Sequence, residues 1–120
     1  MKMKNISLVF IVLLFLSCEK ANEKDIVYQV SDNSTGYALN FRNAEGKLIK
    51  TQIVPESSED VWKYSFQAEQ GDIVFLSALY QNPADGINVQ IFIDGKAFKQ
   101  GSSQNDTLRY VTVSGTIPFE

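Results

Sequence analysis

Few residues in this chain of 120 have the side chains that chemistry needs, and their types narrow the choice quickly. There is one cysteine, Cys18, no histidine, and fourteen Asp and Glu. A cysteine nucleophile needs a base to hold it as the thiolate, usually an imidazole, and the chain has none. A serine nucleophile meets the same obstacle, and no Gly-x-Ser-x-Gly elbow occurs. Paired carboxylates can hydrolyse glycosides. Yet Asp32, Asp72, Asp85, Asp94 and Asp106 all stand in expected turns, where Asp bonds to nearby backbone. Zinc and similar metals lose their preferred His and Cys ligands. Asp32-Asn33-Ser34 and Asn105-Asp106 gather oxygens of the kind calcium takes, but at no EF-hand spacing, and ordinary turns account for them. No catalytic, metal-binding or cofactor-binding residue is assigned, and no enzymatic activity is expected.

What remains of Cys18 is its position. Lys2 and Lys4 precede an apolar run from Ile6 to Leu16, broken only by Ser7. As a helix that run would span about 17 Å at 1.5 Å per residue. A bilayer core is about 30 Å thick, so the run is too short for a permanent span and has the pattern of a secretory signal peptide. A disulfide within the chain is excluded by the lack of a second cysteine.

The segment Leu14-Phe15-Leu16-Ser17-Cys18 resembles the lipobox of bacterial lipoproteins. Phe15 stands where that pattern commonly has Leu, and Ser17 is the small residue before the cleavage point. The resemblance implies removal of residues 1–17 as a signal peptide and lipidation of Cys18. Acyl chains such as palmitate contribute about 0.8 kcal/mol per buried CH₂, so a multiply acylated cysteine holds to a membrane by itself. Residues 18–25 read as a polar, charge-rich tether. Glu19, rather than Asp, follows the cysteine, so the familiar inner-membrane retention signal is absent. The mixed acidic and Lys stretch after it resembles that of lipoproteins exported to the surface. The outer membrane is the expected location, with the domain facing the periplasm or the cell exterior.

From Cys18 onward nine Lys and Arg face fourteen Asp and Glu. Such a balance repels phosphate backbones, so no nucleic-acid partner is expected. Beyond Asp25 no segment keeps a helical period for three turns, and alternation with period two recurs instead. Ile26, Tyr28 and Val30 share a face, as do Tyr37, Leu39 and Phe41, and then Trp62, Tyr64 and Phe66. Leu48 to Val54 reads as a returning strand after the turn Asn43-Ala44-Glu45-Gly46. Ile73 to Tyr80 is the most apolar run, expected as a central strand with little solvent on either face. Ile87, Val89, Ile91 and Ile93 alternate with Asn88, Gln90, Phe92 and Asp94, and Asp94-Gly95 is the strongest hairpin signal in the chain. Lys96 to Lys99 reads as a strand, Gly101 to Asp106 as a polar loop, and Thr107 to Gly115 as a last strand. Seven or eight strands at this spacing predict an all-β fold, a small antiparallel immunoglobulin-like β-sandwich over residues 26–120.

The order of these runs resembles the MmpS-like β-sandwich family. Tyr28-Gln29-Val30, Leu39 to Asn43 before a Gly turn, Trp62 to Phe66, Gly71 to Ala78, Val89 to Lys96 and Ser114-Gly115-Thr116 carry the likeness, over roughly residues 26–117. It implies a small sandwich tethered to a membrane and exposed on its far side. Actinobacterial members have a single transmembrane anchor and assist lipid-exporting transporters. This chain departs from them in its lipid anchor and in lacking their cysteine pair, and the family supplies no catalytic residues. The expected function is a non-enzymatic envelope accessory or interaction module, partnered by an envelope protein complex or transporter. The alternative is a cell-surface lipoprotein that binds a glycan or other ligand, for which Tyr80, beside Asn82-Pro83, and Tyr110 are the expected exposed rings. Thr107 to Ile117 is expected to pair within its own sheet, or at an edge to accept a partner strand.

Overall fold

The computed structural model describes residues 23–104 and 109–119. The expected signal peptide, Cys18 and Asn105-Asp106 lie outside the described residues. Eight antiparallel strands make two four-stranded sheets, a β-sandwich. They are β1 (Glu23–Ser31), β2 (Tyr37–Arg42), β3 (Leu48–Ile53), β4 (Trp62–Glu69), β5 (Ile73–Tyr80), β6 (Gly86–Ile93), β7 (Lys96–Gln104) and β8 (Tyr110–Thr116). Sheet A runs β4-β1-β6-β7 and sheet B runs β3-β2-β5-β8. Among the described residues no helix is long and apolar enough to cross a membrane.

Period-two alternation builds the core as expected. Ile26, Tyr28 and Val30 of β1 and Ile87, Val89 and Ile91 of β6 face Leu39 and Phe41 of β2 and Val74, Leu76 and Ala78 of β5. The Asp94-Gly95 turn joins β6 to β7 with positive φ at both residues (49° and 80°), the geometry of a two-residue type I′ hairpin. The turn after β2 closes through the Asn43 side chain, whose Oδ1 accepts from the Glu45 and Lys47 amides.

Three strand expectations change. β1 already begins at Glu23, so Glu23, Lys24 and Asp25 pair with Glu69, Ala68 and Gln67 rather than belonging to a tether. A Lys24–Asp94 ion pair at 3.6 Å and a bond from the Asp25 amide to Asp94 Oδ1 hold that end. β7 runs on through Gly101 to Gln104, where a loop was expected, because its backbone pairs with β6 as far as Gly86↔Gln104. Finally, β5 is an inner strand, but its outer face is open, with Ile73 and Leu79 exposed. A sheet of a two-layer sandwich buries only one face.

The two sides of the sandwich differ. On one side β7 and β8 approach closely: a Cβ on Gly101 would lie 2.6 Å from Val111 Cγ1, and one on Gly115 would lie 2.8 Å from the Phe98 ring. On the other side the edge strands β3 and β4 bury their inner faces only partly. Trp62, Tyr64 and Phe66 line that seam as a ladder of rings, Trp62 stacked on Tyr64 and Phe41 4.9 Å from Tyr64.

One side chain ties the two sheets together. Tyr28 of β1 crosses the core, and its hydroxyl donates to the Arg42 carbonyl at 2.8 Å and accepts from the Phe75 amide at 3.3 Å. The β2–β5 ladder ends at Phe41↔Leu76, so Arg42 and Phe75 are the next pair in register. The Tyr28 hydroxyl takes the place of the ladder bond between them. Burial pushes its pKa up to about 12, against a smaller opposing effect of the Phe75 N–H.

Candidate functional site

The polar residues of the expected turns serve the fold. Asn33, only 1% exposed, donates to the Gly86 carbonyl at 2.9 Å and accepts from the Gly36 amide at 2.8 Å. The Asp85 carboxylate accepts from the Ser34 and Thr35 amides, the Thr35 hydroxyl and the Gly86 amide. Partial burial would raise its pKa, but those donors outweigh burial and hold it below the ordinary 3.8. Asp72 Oδ2 accepts from the Glu69 amide, and Asp94 forms the hairpin turn. Among the described residues no three His, Cys, Asp or Glu side chains lie close enough to share a metal ion.

Of the two tyrosines expected at the surface, only Tyr110 is there, at 54% exposure. Tyr80 is fully buried. Alternation from Val74 through Leu76 and Ala78 carries it inward, and its hydroxyl bonds to Ser103 Oγ at 2.8 Å, which satisfies the polar end. Trp62, Tyr64 and Phe66 do pack against the core, half-buried.

The two free faces of the sandwich have different chemistry. Register places Lys63, Gln29, Gln90 and Gln100 in one row across the outside of sheet A, and Ser31, Asn88 and Ser102 in the next. Sheet B presents a different set. Gln52, Ala38, Leu79 and Tyr110 form one row, Lys50, Asn40, Ser77 and Thr112 a second, and Arg42 with Leu48 and Phe75 with Ser114 lie beyond. Four of the exposed large apolar side chains, Leu48, Ile73, Leu79 and Tyr110, belong to this sheet, and Val54, 79% exposed, follows β3 directly.

The Leu79 row continues into a concavity of about 330 Å³ walled by Ala38, Ile53 and Val54 and closed off by Gln81 and Asn82. Arg109 Nη1 donates to the Gln81 carbonyl and so helps shape its rim. Leu79, with Tyr110 beside it in register and Val54 across the same concavity, makes a small apolar patch at one end of this face, of the kind that marks a contact surface, whereas Leu48 and Ile73 stand apart at the other end. The sequence reading missed this face because it took the whole Ile73–Tyr80 run as covered. The available signal was the period itself: only Val74, Leu76, Ala78 and Tyr80 can point inward together, which leaves Ile73, Phe75 and Leu79 for the other side. No family model matches the chain, and no curated protein sequence matches it.

Proposed function

We propose that the chain is a bacterial outer-membrane lipoprotein, anchored through acyl chains on Cys18, that works without catalysis as an accessory or interaction module of an envelope protein complex. The outer face of sheet B carries this reading. Leu79 and Val54 stand exposed at one concavity, and Tyr110 is exposed beside Leu79 in register. The anchor would raise the local concentration of the domain beside a membrane complex, so a modest contact area suffices. The likeness to MmpS-like proteins suggests a transporter as the kind of complex.

Crosslinking in intact envelopes, followed by purification in mild detergent, tests the reading. One protein partner is expected to co-purify in near-stoichiometric amount. The pair of substitutions Leu79→Lys and Tyr110→Lys should abolish that recovery while leaving the thermal midpoint within about 3 °C, since both side chains are half-exposed. Cys18→Ala should release the protein from the membrane fraction. Undiminished recovery of the partner by the Lys pair, or a membrane-bound Cys18→Ala protein, would overturn the docking face or the anchor respectively.

A further inference from the structure

The outside of sheet A holds a second concavity, on the opposite face from Leu79 and Tyr110, with a volume of about 520 Å³. That lies within the usual range of small-ligand clefts, about 300–1,000 Å³. Its wall is polar: Asp32, Asp85, Asn88, Gln100, Ser102 and Gln104 contribute carboxylate, amide and hydroxyl groups. Three strands set the geometry. Asn88 of β6 lies between Ser31 of β1 and Ser102 of β7 in register, and Gln100 and Gln104 project from β7 on the same face as Ser102.

One group in this wall has its hydrogen bond unmade. Asn88 Oδ1 is buried and has no partner among the described residues. Native folds satisfy nearly all buried polar atoms, and an exception calls for an explanation. Nearby groups are engaged. Asp85 is bonded to Ser34, Thr35 and Gly86, and the Gly86 carbonyl takes Asn33 Nδ2. The orphan is an acceptor with no bond to hold the amide in place, so a turn of the Asn88 side chain can present it to a ligand that brings donors.

We propose that this concavity binds a neutral saccharide, the exposed Gln100, Ser102 and Gln104 making the first contacts and the Asn88 amide turning so that its unpaired Oδ1 accepts from a sugar hydroxyl. The lining argues against two competing chemistries. No Lys or Arg lines it, so a phosphate or sulfated ligand would find carboxylates and no counter-charge. Its only branched apolar side chain is Ile87, too little for a hydrophobic ligand. Hydroxyl groups, each able to donate and accept, match a wall of amides, hydroxyls and a carboxylate. This inference is independent of the docking role of sheet B.

The test uses the full-length protein in mild detergent, titrated with amylose, dextran, mannan and chitin oligosaccharides, with heparin as the anionic control. Saturable binding to at least one neutral glycan is expected, weakened tenfold or more by Asn88→Ala and by Gln100→Ala at unchanged thermal midpoint. Should Asn88→Ala fail to fold, Gln100→Ala decides, because Gln100 is exposed. Leu79→Lys should leave sugar binding intact. The proposal is overturned by absence of saturable binding to every neutral glycan, by binding to heparin alone, or by binding that Leu79→Lys removes and Gln100→Ala does not.

Discussion

Replacing Tyr28 by Phe removes a single oxygen and breaks the link between the two sheets. The ring keeps its contacts, including the edge-on approach to Phe66 at 5.1 Å and to Phe41 at 6.0 Å, so no large cavity opens. What changes is that the Arg42 carbonyl and the Phe75 amide both lose their partner. A buried polar group left unpaired costs about 1–3 kcal/mol. Both sites are part-buried, which allows some rescue by water, so the expected sum is about 2 kcal/mol, near the low end for two groups. For a domain of this size about 1 kcal/mol moves the midpoint by about 4–8 °C, which predicts a fall of about 10 °C. Thermal and urea unfolding followed by circular dichroism measure it, with the urea slope unchanged because the surface exposed on unfolding is the same. Amide exchange supplies a local readout, since the Phe75 N–H should lose protection beyond the global change. Tyr64→Phe is the control: that ring also packs in the core, but its hydroxyl makes no hydrogen bond among the described residues. A fall for Tyr28→Phe no larger than that of the control would refute the bridging role of the hydroxyl.

Three further outcomes are expected. Gly101→Ala should destabilise by about 1–3 kcal/mol through overpacking, because its Cβ would meet Val111 Cγ1 at 2.6 Å and Val113 Cγ1 at 3.2 Å. In a Val111→Ala background the same substitution should cost less, a coupling that a double-mutant cycle reads directly. Asp85 has a folded pKa below 3.8, so its contribution is present at neutral pH and is lost as pH falls through that lowered value. Asp85→Asn should therefore lower the midpoint at pH 7 and shrink the drop between pH 7 and pH 3. Tyr28 and Tyr37 have folded values of about 12 against an ordinary 10.0, both raised chiefly by burial and Tyr37 further by the charge of Asp60. The unfolded chain releases these protons first, so stability should decline as pH rises from about 10 towards 12, with part of the tyrosinate absorbance appearing only on unfolding.

Much of the fold could be read from alternation alone, and its gaps have physical causes. β1, β2, β4 and β6 put large side chains at every second position, and each such set faces the core as expected. The second half of β7 has no such mark, because its inward positions are Gly101 and Ser103. Small size is needed there against Val111 and Val113, and a hydroxyl is needed to meet Tyr80. Those two needs erase the apolar signature of a strand. Tyr80 was misplaced for the opposite reason, since a turn beside it outweighed a period that pointed inward. Pairing order had no local trace: β1 bonds to β4 and β6, far along the chain. The polar concavity was equally hidden, because Asn88 and Gln100 become neighbours of Ser31 and Gln90 only through that pairing.

The central place of β1 in sheet A also bears on when the chain can fold. β1 is made first, yet its partners start at Trp62 and Gly86. At roughly 5–20 residues per second of synthesis, β6 follows β1 by several seconds. Until β4 is made the first strand has no native neighbour in its sheet, it gains its second only with β6, and the hairpin of β2 with β3 is the earliest pairing open to the chain. Contacts so distant in sequence also form slowly once all strands exist. Placing the first strand in the middle of the sheet thus makes sheet A the later of the two to begin, with its centre closed only when β6 has been made.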